Sequence, residues 1–278
     1  MAMRNTLTRA FWSITMLSSV LLGAAAPVNG AAAPFDHEHA LYGGVLSRHV
    51  RDGRVDYAAL RADRAALDAY VAAVGEADAR AISAGSRDEQ LSFWINAYNA
   101  LVLRTVIDHY PIERGSFVGL AFPANSIWQI PGAFKERRFF AAGRRVSLDE
   151  IEHRIIRPTF REPLVHMALV CAALSCPPLR GEPFRARTLG VQLQDQARRF
   201  VGDPLRGMQL AASSGEVRAS TIFKWFGEDF APLGAGEGRT GVLEFLAAHA
   251  ADPAQSRLLR SGALRLRYLP YDWTLNDR

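Results

Sequence analysis

Two cysteines, Cys171 and Cys176, are all that this 278-residue chain carries, so it can close one disulfide at most. It has no Gly-rich phosphate loop, no Ser-centred nucleophile elbow and no dinucleotide fingerprint, which speaks against nucleotide chemistry and serine hydrolysis. Repeats, low-complexity tracts and obvious linkers are missing too. Charge is not strongly one-sided: 33 Lys and Arg face 28 Asp and Glu, a formal +5. The arginines are spread along the chain. Lys135 to Arg138 and Arg144-Arg145 are the local exceptions, and they read as solvated hairpin surface, so no nucleic-acid partner is expected.

What the chain does have begins at its start. Arg4 and Arg9 precede the uncharged run AFWSITMLSSVLLGAAAPV, and small residues lead on into NGAAAPFDHEH. A basic start, an apolar middle and a small-residue exit describe a secretory signal peptide over residues 1–30, cut after Gly30 or Ala31. The expectation is a periplasmic or secreted protein with no membrane partner after cleavage. An uncleaved anchor is the rival, because the run is nearly long enough to span a bilayer. No cysteine follows the run for lipid attachment. Loss of Arg4 and Arg9 lowers the charge to +3. About 245 residues remain, within the range of one large domain, placed at 36–278. With 49% of residues apolar, a substantial core is available.

Periodicity predicts two helices between Asp36 and Val74, with His37 and His39 in an unstructured lead. A third helix starts at Ser86, where Glu89 completes a capping box, and stops before Pro111. It is apolar nearly all round and therefore buried. Asn96 and Asn99 then lie inside the protein, where each amide must find partners. A Gly/Pro/aromatic stretch from Phe117 to Phe134 follows, then a hairpin around Gly143. Ser147 and Glu150 form a second capping box, opening a helix that ends at Pro158. Val165 to Cys171 is short and apolar and reads as a buried strand. An amphipathic helix at GVQLQDQARRFV, a hairpin at MQLAASSGEVRAS, three more helices and a terminal strand LRLRYLPYDWTLN complete the chain. The fold class is α+β: one domain with a buried central helix, surrounding helices and a small, mostly antiparallel sheet.

Five stretches carry a resemblance. FWINAYNALVLRTVIDHYP, VSLDEIEHRIIR, HMALVCAALSCPPLR, IFKWFGEDF and YDWTLN occur in the order found in the family named domain of unknown function 547, over about Leu41 to Asn276. That resemblance implies a fold and a motif list rather than an activity. Where family members often read Asp-Pro-Arg-Ile-His, this chain has Glu162, Pro163, Leu164, Val165 and His166, without the arginine. A buried helix followed some seventy residues later by a histidine is also similar to the layout of papain-like and transglutaminase-like thiol enzymes. Those carry a cysteine at the start of the helix, and this helix has none.

Three readings of Cys171 and Cys176 stay open: a small disulfide loop, a reactive thiol, or two buried hydrophobes. On a regular strand His166 and Cys171 face opposite ways, which leaves Cys176 as the candidate nucleophile and His166 as its base. Asn96 or Asn99 would orient that base, unless they anchor loops. His166 itself reads equally as a core histidine bonded to a carbonyl. Asp149 and His153 share a helix face with an ion pair as the expected role; no metal or cofactor is called for. Tyr98, Trp128, Glu152, His153 and Cys171 are candidate binding residues. Asp272, Trp273 and Asn276 are expected to fasten the C-terminus. Two functions compete. One is a non-enzymatic envelope module that binds a small molecule, peptide or glycan, and it is preferred. The other is a thiol-dependent hydrolase or acyl/amide transferase.

Overall fold

The computed structural model describes residues 34–114, 121–231 and 238–278. The signal peptide expected at 1–30, and the first part of the Gly/Pro/aromatic stretch, lie outside the described residues. The chain begins with α1 (Ala40–His49), a short ribbon of β1 (Val50–Arg51) and β2 (Arg54–Val55), α2 (Tyr57–Ala62), α3 (Ala65–Glu76), α4 (Ala79–Ala84) and α5 (Arg87–Ile107). The unstructured lead expected at His37 and His39 is corrected here. His39 is buried, with Nδ1 2.7 Å from the Tyr70 hydroxyl, because Phe35 and Tyr70 close over it.

The helix α5 is the axis of the core. The Ser86 hydroxyl accepts from the Glu89 N–H at 3.2 Å, and the Glu89 carboxylate accepts from the Ser86 N–H at 2.7 Å, closing the expected capping box. Every residue from Leu91 to Leu103 is buried, as an all-round apolar surface requires.

A hairpin of β3 (Phe139–Ala141) and β4 (Arg144–Val146) turns through Ala142 and Gly143, with φ of 47° and 67°. Two positive values at the two central residues are what the tightest hairpin turn needs. The Ser147–Glu150 capping box opens α6 (Leu148–Glu150), but the regular helix expected up to Pro158 does not form. Ile151–Ile156 is a π-helical turn and α7 (Arg157–Phe160) resumes the tighter pitch. Pro158 sits in the first turn of α7, where its missing N–H costs little. The wider turn before it shows in the Arg157 N–H, which bonds the Glu152 carbonyl five residues back.

The remaining elements are α8 (Leu189–Val201), β5 (Met208–Ala211), β6 (Glu216–Ala219), α9 (Ile222–Trp225), α10 (Gly238–His249), α11 (Pro253–Arg260) and β7 (Arg265–Tyr268). β5 and β6 pair antiparallel as the expected hairpin, and β7 lies parallel to β6. The terminal strand is shorter than expected. After Tyr268 the tail instead makes only single bridges, Ala173–Leu275 and, to the end of β2, Val55–Asp277. The architecture is α+β, with small, mostly antiparallel sheets around a helical body. Among the described residues no helix is long and apolar enough to cross a membrane.

Candidate functional site

The strand expected from Val165 to Cys171 does not form. Pro163–Met167 is a turn of 3-10 helix, capped by the Glu162 carboxylate on the Leu164 N–H at 3.2 Å. Beyond it the backbone pairs with no strand up to Cys171. Asn99 of α5 stands in for the missing neighbour: its amide donates to the Ala168 carbonyl at 2.9 Å and accepts from the Val170 N–H at 2.9 Å. Asn96, one turn earlier, does the same for Phe184, donating to its carbonyl at 2.7 Å and accepting from its N–H at 3.0 Å. Each buried amide is thereby satisfied by backbone. The role of orienting a catalytic histidine, offered for Asn96 and Asn99, is not one that these geometries provide.

His166 takes its orientation from elsewhere. Its Nε2 lies 2.7 Å from Asp229 Oδ2, and its ring stacks on Phe226 at 4.2 Å. A carboxylate only accepts, so Nε2 carries the proton and Nδ1 is left as the basic nitrogen. Arg157 clamps the same carboxylate, with Nε 2.6 Å from Oδ2 and its terminal nitrogen 3.0 Å from Oδ1. Burial pushes the Asp229 pKa up, but the hydrogen bonds from His166 and Arg157 outweigh it and hold the carboxyl well below the usual range. The arginine missing before His166 in sequence thus has a counterpart in Arg157, which reaches the histidine through Asp229.

His166 borders a cavity of about 290 Å³. Segments far apart in sequence build it. Tyr98 comes from α5, Trp128 and Phe134 from the aromatic stretch, Glu152 and His153 from the π-helical turn. Trp225 and Phe226 end α9, and Tyr271 and Trp273 come from the tail. Cys171 and Cys176 line it too, bridged as a disulfide with Cα atoms 6.2 Å apart. The aromatic rings hold one another in place: Trp225 stacks on Trp273 at 5.6 Å, and Trp273 meets Tyr271 at 4.4 Å and Trp128 at 5.5 Å.

Three charged side chains face this aromatic lining: Asp149, Glu152 and the exposed Lys135. The Glu152 carboxylate accepts from the Tyr98 hydroxyl at 3.3 Å. Burial first, and the Glu152 charge second, push the Tyr98 and Tyr271 phenols well above their ordinary range, so both remain neutral donors. His153 Nδ1 accepts from Arg157 at 2.9 Å, which directs the ring proton to Nε2, 3.8 Å from Asp149. Two carboxylates therefore face one lysine. Among the described residues no group of three His, Cys, Asp or Glu side chains could hold a metal ion.

The family model for a protein of unknown function, DUF547, matches residues 82–201. The chain carries a DUF547 domain there. No curated protein and no solved structure matches it. The DUF547 segment supplies Tyr98, Trp128, Glu152, His153, His166 and both cysteines to the cavity, and the aromatic wall of Trp225, Phe226, Tyr271 and Trp273 comes from beyond it.

The fold brings seven of the candidate residues to one place: Tyr98, Trp128, Glu152, His153, His166, Cys171 and Cys176. Asn96 and Asn99 stay behind the wall as backbone clasps. Cys176 is bridged, so it is not a standing thiol nucleophile. Asp272 and Asn276 do fasten the tail: the Asp272 N–H bonds the Ser175 hydroxyl at 2.9 Å, and Asn276 accepts from the Tyr57 hydroxyl at 2.8 Å. Trp273, expected to do likewise, faces the cavity. Sequence reasoning missed Asp229, Arg157 and the aromatic wall. The signal was present in the motifs IFKWFGEDF and YDWTLN, where rings and carboxylates alternate too densely for a plain surface.

Proposed function

We propose that this protein is a non-enzymatic binding module whose cavity takes a small ligand, or a peptide side chain, bearing a cationic amine. The observation that carries this reading is the pairing of aromatic walls with Asp149 and Glu152 in one cavity. An ammonium is attracted to the faces of Trp and Tyr rings and gains further from a nearby carboxylate. Lys135 adds contact with an anionic or polar group at another end of the same ligand. About 290 Å³ suits a compact molecule or one long side chain. Three tryptophans in the lining, Trp128, Trp225 and Trp273, make intrinsic fluorescence a direct probe. Titration with Nα-acetyl-lysine amide should give saturable quenching, and the Nε-acetylated analogue should bind at least about tenfold more weakly. No saturable change with either compound would sink the reading.

We place the module in the cell envelope after removal of residues 1–30. The disulfide supports an oxidising compartment. N-terminal sequencing of the fractionated protein tests this, and a mature terminus at residue 31 or 32 in the periplasm or medium is expected.

A second reading, a thiol-dependent hydrolase or acyl/amide transferase, is favoured by one observation. His166, held by Asp229, shares the cavity with both sulfurs. It requires the bridge to open first. Iodoacetamide that labels neither cysteine of the native protein, even after mild reductant, removes it.

A further inference from the structure

We propose that the Cys171–Cys176 disulfide is an exchange site for a small thiol that enters the cavity, with Cys171 the sulfur attacked and Cys176 the sulfur released. The two sulfurs are unequal. Cys171 is half-buried, whereas Cys176 is only 3% exposed. The Cys171 N–H donates to Cys176 Sγ at 2.9 Å. The Tyr271 hydroxyl lies 3.2 Å from Cys171 Sγ and 3.3 Å from Cys176 Sγ. Disulfide sulfurs carry no proton, so Tyr271 is the donor. When the bond opens, charge develops on the departing sulfur. Cys176 has two donors waiting for it, the N–H and the hydroxyl, and the backbone on both sides is fixed. Asn99 holds Val170 from one side, and the Cys176 N–H bonds the Ala173 carbonyl at 3.1 Å on the other.

The step balances without an external oxidant. The incoming thiol gives its proton to solvent. Its thiolate forms a bond to Cys171 Sγ, the Cys171–Cys176 bond breaks, and the bonding pair leaves on Cys176 Sγ. The small thiol is oxidised to the mixed disulfide and Cys176 is reduced to a thiolate. Exchange is faster when the leaving sulfur is better stabilised, which the two donors provide. Exchange uses the cavity of the proposed function but not its carboxylates.

The test takes the purified mature protein, whose intact mass should first confirm the bridge; two free thiols at that point would overturn the proposal. The native protein is then treated separately with cysteamine and with 2-mercaptoethanol, quenched in acid, alkylated and mapped by peptide mass spectrometry. One adduct on Cys171, with the alkyl label on Cys176, is expected. An adduct confined to Cys176, or none until the protein is denatured, overturns the inference. Tyr271→Phe keeps the ring and removes one donor, and should slow adduct formation by about tenfold. Adduct formation on Cys171 at equal rates per thiolate with both thiols upholds exchange while counting against recognition of the amine. A reaction with cysteamine faster than its larger thiolate fraction accounts for supports both.

Discussion

Asn96 and Asn99 make the same clasp one helical turn apart, and the two regions they hold could hardly differ more. Asn96 grips Phe184, in a segment tied to the N-terminal layer by Arg185, whose guanidinium reaches Glu38 at 3.3 Å. That layer holds His39, Tyr42 and Tyr70, a buried cluster in which Tyr42 stacks on Tyr70 at 4.9 Å. Asn99 grips the backbone between His166 and Cys171, both of which line the cavity. The same pair of amide bonds to backbone thus serves assembly in one region and the shape of a site in the other. Buried amides on a core helix are structural in chemistry. Their functional weight depends on what the clasped segment does next.

The largest effect should come from removing the clasps. Asn99→Leu leaves the Ala168 carbonyl and the Val170 N–H buried without partners, a cost of about 4 kcal/mol at roughly 1–3 kcal/mol per group. Asn96→Leu should cost about the same. Urea denaturation measures both, and the contrast widens in binding: Asn99→Leu should also weaken ligand quenching, while folded Asn96→Leu should bind as the parent does. Equal loss of binding in both variants would erase the distinction.

Acid should act on the Asn96 side through His39. Burial lowers the His39 pKa from 6.5 to about 4, with His37 lowering it further, Asp36 opposing and Arg185 adding to the depression. Below pH 6.5 the unfolded chain binds a proton there that the folded chain refuses. Stability therefore falls as the pH drops from 6.5 to about 4 and levels off below. The fall is roughly 3 kcal/mol, at about 1.36 kcal/mol per pH unit. His39→Asn, which keeps a polar partner for the Tyr70 hydroxyl, should flatten that slope. An unchanged slope would show that the acid sensitivity lies elsewhere.

On the cavity side the Asp229 dependence lies in a different pH range. Its depressed pKa means that its contribution is complete above the ordinary carboxylate range and is lost only in strong acid. Asp229→Asn removes the charge that His166 and Arg157 share and should cost about 2 kcal/mol, the worth of a charged hydrogen bond. It should also loosen Phe226, whose ring stacks on His166 and lies 5.0 Å from the Arg157 guanidinium. Fluorescence titration of this variant should show weaker binding, and unaltered binding would place Phe226 under other control.

The sequence made the frame legible wherever the signal was local. Both capping boxes, the Gly143 hairpin and the buried length of α5 follow from residues within a few positions of one another. The demand that Asn96 and Asn99 find partners was legible too. Their partners were not, since Phe184 and Ala168 lie 88 and 69 residues away. The Val165–Cys171 segment failed as a strand for a related reason. Its apolar run says only that it is buried, and a side-chain amide supplies the bonds that a neighbouring strand would have made. Of the cavity, the residues in chemically marked stretches were found: His166, the cysteines, Glu152 and His153. Tyr271 and Trp273, two apart on an extended tail, share a face by period two, yet Trp273 was read as a fastening. Asp229 was invisible because nothing local ties GEDF to His166, 63 residues before it.

If carboxylates in an aromatic cavity recognise a cation, calorimetric titration of the parent and Glu152→Gln with Nα-acetyl-lysine amide will register it. Glu152 accepts a hydrogen bond from Tyr98, which a glutamine oxygen can also do, so the substitution removes charge with little change of shape. Affinity about tenfold lower in Glu152→Gln, with the melting temperature nearly unchanged, is the predicted result. Equal affinity of the two proteins for the amine would contradict it.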